Sequence, residues 1–109
     1  MKQSKRRPSR GQPSREAREA AIEVAVAALS FIAAEPERLG RFLALTGIGP
    51  DSIRSAAADP AFLAGLLDYV TGDEVLLVSF AEQSEIDPED VGRARATLAG
   101  PARGETGAA

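Results

Sequence analysis

The sequence predicts an all-α fold: a compact bundle of five or six short helices closed around a central Ala-rich helix, behind a disordered basic N-terminal tail. Three observations predict it. Proline stands in four pairs just before apolar runs, Glu35-Pro36, Gly49-Pro50, Asp59-Pro60 and Asp87-Pro88. A proline at the first helical position loses nothing, because its missing N–H would be unpaired there anyway. Within the runs, apolar residues recur at i, i+3, i+4 and i+7. Finally, only Glu23 and Ser30 are polar between Ala20 and Ala34, and a helix apolar around most of its circumference is usually wrapped by its neighbours.

The elements follow in order. Residues 1–13 contain no large apolar side chain after Met1; they cannot bury enough surface to offset chain entropy and are expected to be disordered. The first helix is expected over 14–34, with part of its face, Val24, Ala28 and Phe31, as an alternative contact to another subunit. The second, 36–46, carries the stripe Leu39, Phe42, Leu43, Thr46, and Gly47 stands where a C-terminal cap belongs. A third helix is expected over 50–57. The fourth, 60–70, carries Leu63, Leu66, Leu67 and Val70 behind an Asp59 N-cap. The fifth, 72–84, is read as starting from a capping box in which Thr71 and Glu74 satisfy each other's backbone donors. Its run Val75-Leu76-Leu77-Val78 has a strand as the competing reading. The sixth, 88–99, starts behind an Asp87 cap. Gly100 to Ala109 is expected to be a second disordered tail, which leaves 14–99 as a single helical domain.

The segment Ala33-Ala34-Glu35-Pro36-Glu37-Arg38-Leu39-Gly40-Arg41-Phe42-Leu43-Ala44-Leu45-Thr46-Gly47, continued by Ile53-Arg54, Asp59-Pro60-Ala61-Phe62-Leu63 and Asp73-Glu74, resembles a bacterial family of small helical proteins of about this length, catalogued only as a domain of unknown function. The resemblance covers about residues 16–99 and leaves the tail outside. It implies a small helical bundle and brings no activity, cofactor or site residue with it, since its motifs are capping and core signatures.

Composition narrows the chemistry. The chain has no Cys, no His and no Trp. Thiolate nucleophiles and zinc–thiolate sites are thereby excluded, and the commonest general base and transition-metal ligand is missing. Both lysines lie in the tail, so no serine of the helical part has a lysine close in sequence to act as its base. The acids Asp73, Glu74, Asp87, Glu89 and Asp90 fall in first helical turns, where they complement the helix dipole. No enzyme activity, cofactor or metal site is expected.

Charge is uneven. Residues 1–15 hold six of the 13 basic residues and no acid, whereas all 16 acids lie in residues 16–109. Lys2, Lys5, Arg6, Arg7 and Arg10 are therefore the candidate contacts for an anion or a nucleic acid, of the salt-dependent and sequence-independent kind. Without interleaved aromatics the arm offers no stacking platform for single strands. Two further elements are candidates. Leu45-Thr46-Gly47-Ile48-Gly49-Pro50, within 45–53, looks like the hairpin of a helix-hairpin-helix module, whose amides receive a phosphate; Asp51 opposes that use. Residues 77–98 place Ala81, Ile86, Val91 and Ala94 at helix-turn-helix spacings, but the first turn of the second helix would present Asp87, Glu89 and Asp90 to the phosphates. Arg38, Arg41 and Arg54 are read as a solvated face or as partners of acids such as Glu35 and Asp59.

Arg6-Arg7 is followed by Pro8 and Ser9, where a twin-arginine signal needs apolar residues, and Glu19 and Glu23 interrupt the run behind it. That run is also shorter than the roughly 20 residues of a membrane span. The expectation is a cytoplasmic, non-enzymatic adaptor or regulatory module that binds another protein, or a second copy of itself, with no membrane contact. The alternative is a nucleic-acid-associated protein using the basic arm with 77–98 or 45–53.

Overall fold

Proline opens four of the helical segments, and in each case the residue before it is extended or turning while the proline itself is helical. A computed structural model describes residues 14–99. It contains α1 (Arg15–Ala33), α2 (Pro36–Thr46), a 3₁₀ turn (Pro50–Ser52), α3 (Ile53–Ala56), α4 (Pro60–Thr71), α5 (Glu74–Ser84) and α6 (Pro88–Ala99), with no strand among the described residues. The tails at 1–13 and 100–109, including Gly100, lie outside the described residues.

The caps are local chemistry and mostly stand where expected. Ser14 accepts from the Ala17 N–H at 3.0 Å, Asp59 from the Ala61 N–H at 3.0 Å and Asp87 from the Glu89 N–H at 3.0 Å. Each satisfies an amide of a first turn that has no partner inside its helix. Gly47 ends α2 in the left-handed region at φ 76°, and its N–H reaches the Leu43 carbonyl at 2.8 Å. Any other residue would be strained at that φ.

Two expectations are corrected. The capping box does not form. α4 continues through Thr71, whose hydroxyl donates back to the Asp68 carbonyl at 3.3 Å. Gly72 is still right-handed helical, so the first extended residue is Asp73, and its side chain accepts from the Leu76 N–H at 3.1 Å. The helix expected over 50–57 is a 3₁₀ turn plus a single α turn. The Ser52 N–H bonds to the Gly49 carbonyl in the tight i+3 pattern, and no residue of either piece is buried. With no apolar side chain anchored below, nothing extends the helix.

α1 is central: it packs against α2, α4, α5 and α6, while α4 and α6 also pack on each other. One core joins Ala25, Ala28 and Ile32 of α1, the full predicted stripe of α4, Phe80 of α5, and Val91 and Leu98 of α6. Among the described residues no polar side chain is buried. In α2, Phe42 is buried, Leu39 and Leu43 are half-buried, and Thr46 is exposed. Val75 and Val78 face outward from α5 while Leu76 and Leu77 pack against the core, so the valine-flanked run is a turn of helix and not a strand. Of the three residues raised as a contact to another subunit, Ala28 and Phe31 are buried within the protein and Val24 is half-exposed.

Arg38 is more than a solvated side chain. Its guanidinium donates to the Phe31 carbonyl at 2.8 Å, lies 3.9 Å from the Phe31 ring centroid and pairs with Glu35 at 3.3 Å; the side chain is only 15% exposed. It caps the C-terminal end of α1 and ties α2 to it. Among the described residues no helix is long and apolar enough to cross a membrane.

Candidate functional site

A concavity lies between the first half of α1 and the α5–α6 junction with α6 behind it. Its volume is about 570 Å³, within the roughly 300–1,000 Å³ of ordinary binding pockets. Ala17, Ala20, Ala21 and Val24 form its α1 wall, and Ile86, Ala94 and Thr97 the facing one. The α1 positions fall on one face because they are three and four apart. From Ala17 to Val24 they cover about two turns, roughly 10 Å of helix at 1.5 Å per residue. Apart from Thr97 these side chains are pure hydrocarbon, and the Thr97 hydroxyl is the one side-chain hydrogen-bonding group they leave on the floor.

The rim has the opposite character. Glu23 of α1, Glu85 and Asp87 of the junction, and Asp90 and Arg93 of α6 surround the floor, all of them exposed. Arg93 is held by Asp90 at 2.6 Å. Among the described residues, Glu23, Glu85 and Asp87 have no basic side chain within ion-pair distance. Capping accounts for Asp87, and the dipole of α6 accounts for Asp90. Neither accounts for Glu23 or Glu85. Glu85 also sits at φ 56° and ψ 43°, the one described non-glycine residue at positive φ. The same rim carboxylates are not gathered closely enough to act as ligands together: no group of three such side chains among the described residues is placed to hold a metal ion.

The sequence-derived candidates fare differently. Lys2, Lys5, Arg6, Arg7 and Arg10 lie outside the described residues. In 45–53 the amides that would face a phosphate are engaged internally: Gly47 N–H by the Leu43 carbonyl, and Ile48 N–H by the Thr46 hydroxyl at 3.3 Å. The short 3₁₀ turn follows in place of a long helix. In 77–98, Ala81, Val91 and Ala94 are buried and Ile86 is half-buried, as the spacing implies. The left-handed residue of the α5–α6 turn is Glu85, and the exposed first turn of α6 is acidic. Sequence reasoning identified Val24 and the α5–α6 junction separately but did not join them. The available signal was the Ala17, Ala20, Ala21, Val24 stripe of small residues on α1, opposite a second alanine helix.

No curated protein and no solved structure matches the chain. A protein-family match extends over residues 18–101, which takes in every helix described above except the first turn of α1. Over that span the chain belongs to the family described as "Protein of unknown function (DUF3572)".

Proposed function

We propose that the chain is a non-enzymatic, cytoplasmic adaptor or regulatory module that binds another protein through the groove between α1 and α6. The observation carrying this reading is the floor itself. A two-turn strip of methyl groups, open to solvent at Ala20 and half-covered at Ala17, Val24 and Ile86, gains free energy on being covered by apolar surface. Such a floor offers a small polar substrate one hydroxyl, that of Thr97, and no titratable group. The absence of His and Cys from the whole chain supports the same reading, since covalent and general-base chemistry would need other side chains.

Photo-crosslinking in living cells tests it. A photoreactive residue at Ala20 is expected to give a discrete adduct with one other polypeptide, and the same residue at the exposed Ser55 of α3 is expected to give none. Equal adducts from both positions, or none from Ala20, would sink the reading.

The second reading, a nucleic-acid-associated protein, draws support from five basic residues within positions 2–10. A mobility-shift titration with random duplex at low and moderate salt separates the two. Salt-sensitive binding that disappears when Lys2, Lys5, Arg6, Arg7 and Arg10 are replaced by serine supports the arm as a phosphate contact. Binding that survives the replacement favours the helical elements instead.

A further inference from the structure

We infer that the occupant of the α1–α6 groove is a cationic amphipathic helix of another protein, one with an apolar strip flanked by Lys or Arg. The inference rests on the groove being the docking surface and adds the partner's chemistry.

Three features lead to it. The floor, Ala17, Ala20, Ala21, Val24, Ile86 and Ala94 with the single hydroxyl of Thr97, cannot satisfy a row of backbone donors and acceptors. A segment laid on it must therefore satisfy its own backbone, which a helix does internally and an extended strand does not. The α1 wall is about two turns long, the length over which i, i+3, i+4 and i+7 anchors of a helix make contact. The alanines of the α1 wall, Ala17, Ala20 and Ala21, let a third helix axis approach closely, where large side chains would hold it off. Charge then selects the flanks. Four carboxylates on the rim face one guanidinium, and that guanidinium is already paired with Asp90. An acidic helix would meet like charge along both edges, while a basic one would find Glu23 on one side and Glu85, Asp87 and Asp90 on the other. The stems of Lys and Arg can also lie along the apolar walls with their charged ends at the rim.

The test uses the full chain, uniformly ¹⁵N-labelled, and three synthetic helical peptides. They share one leucine strip and differ only in flanks of lysine, glutamine or glutamate. The lysine peptide is expected to shift the amides of 17–24 and 85–94. It should bind about tenfold more tightly than the glutamate peptide, the combined effect of several exposed ion pairs each worth a few-fold. Raising salt is expected to bring it toward the glutamine peptide. Ala20→Phe, which fills the groove from an exposed position, should abolish binding of all three. Glu23→Lys combined with Asp90→Lys should remove the preference for lysine and leave the leucine-driven part.

If the glutamate peptide binds the groove as well as the lysine one, the cationic partner is overturned and the docking surface stands. If no peptide shifts the groove, or shifts fall elsewhere, such as at Val75 and Val78, the docking surface falls as well. Groove amides that move on dilution of the free protein assign the groove to a second copy. Groove amides that move when Lys2, Lys5, Arg6, Arg7 and Arg10 are changed to serine assign it to the chain's own arm. Either result overturns a separate partner.

Discussion

The two halves of α1 differ in charge and in surroundings: all of its charged residues lie before Ala25. From Ala25 onward the helix is enclosed: Phe31 packs against Phe80 with ring centroids 5.4 Å apart, Ile32 is fully buried, and Arg38 of α2 lies over Phe31. From Ala17 to Val24 only Ala21 is buried, and Ala17, Ala20, Ala21 and Val24 form the wall of an open groove. The charged residues of the first half, Arg18, Glu19 and Glu23 among them, are exposed; on the inward face it is side-chain volume that separates the halves. All five aromatic residues of the chain take part in contacts among Phe31 and Phe80, and among Phe42, Phe62 and Tyr69, and none lines the groove. Where an aromatic side chain meets α1 the space is filled; where none does it stays open. One helix thus serves as core at one end and as surface at the other.

The contrast can be broken most severely at Phe80, which is 0% exposed. Phe80→Ala removes the aromatic lid of the closed half and is expected to destabilise the domain by about 3–5 kcal/mol, a loss of transfer free energy plus an unfilled cavity. Ala17→Ser in the open half should change stability by less than about 0.5 kcal/mol. Urea denaturation of both variants checks the difference. Should Phe80→Ala fail to fold, Ile32→Val is expected to cost about 0.5–1.5 kcal/mol at the same seam. Comparable small losses from Phe80→Ala and Ala17→Ser would mean that the closed half is not closed.

Arg38 gives the next effect in size. Arg38→Ala removes a charge-assisted hydrogen bond to the end of α1, a ring contact and an ion pair at once, and about 2 kcal/mol is expected to go with them. Arg38→Lys should recover only part of it, because an ammonium cannot stack flat on Phe31 while also bonding the Phe31 carbonyl. Since the side chain is mostly buried, added salt should leave the Arg38→Ala loss largely unchanged. A loss that vanishes in moderate salt would return Arg38 to the solvated face that the sequence suggested.

Which parts were legible follows from how local each cause is. Ser, Asp, Pro and Gly at helix ends act within one turn, so Asp59, Asp87, Gly47 and the proline starts could be read directly, and with them the number and order of the helices. The α4 stripe was legible because all four of its apolar residues face inward. The start of α5 was not. Thr71 and Asp73 are both capping residues, and the choice depends on α4 continuing past Val70, which is buried. Asp73→Ala is accordingly expected to cost about 1 kcal/mol, while Thr71→Ala should cost only a few tenths; equal losses would restore the capping box. Arg38 was misread because its aromatic partner lies on the preceding helix and meets it only after the chain turns at Ala34–Glu35. The groove was least legible. Glu23 and Glu85 are far apart in sequence, each exposed and ordinary by itself, and only the packing of α1 on α6 sets them around one apolar floor.

Glu85 brings the comparison to its smallest and most discriminating test. The α5–α6 turn has the hydrogen bonds of a Schellman motif: Ile86 N–H to the Ala81 carbonyl at 3.0 Å and Glu85 N–H to the Glu82 carbonyl at 3.4 Å. The position at its centre favours glycine, because an L side chain in the left-handed region costs on the order of 1 kcal/mol. Glu85→Gly removes that strain but gives the unfolded chain more freedom, so a net gain of about 0.5–1 kcal/mol is expected in urea denaturation. If the rim recognises cationic flanks, the same variant should bind the lysine-flanked peptide a few-fold more weakly, so that stability and recognition move in opposite directions at one residue. A loss of stability would mean that the Glu85 side chain itself holds the turn. A gain with no change in peptide binding would remove Glu85 from the recognition surface and leave Glu23, Asp87 and Asp90 as the rim that a partner meets.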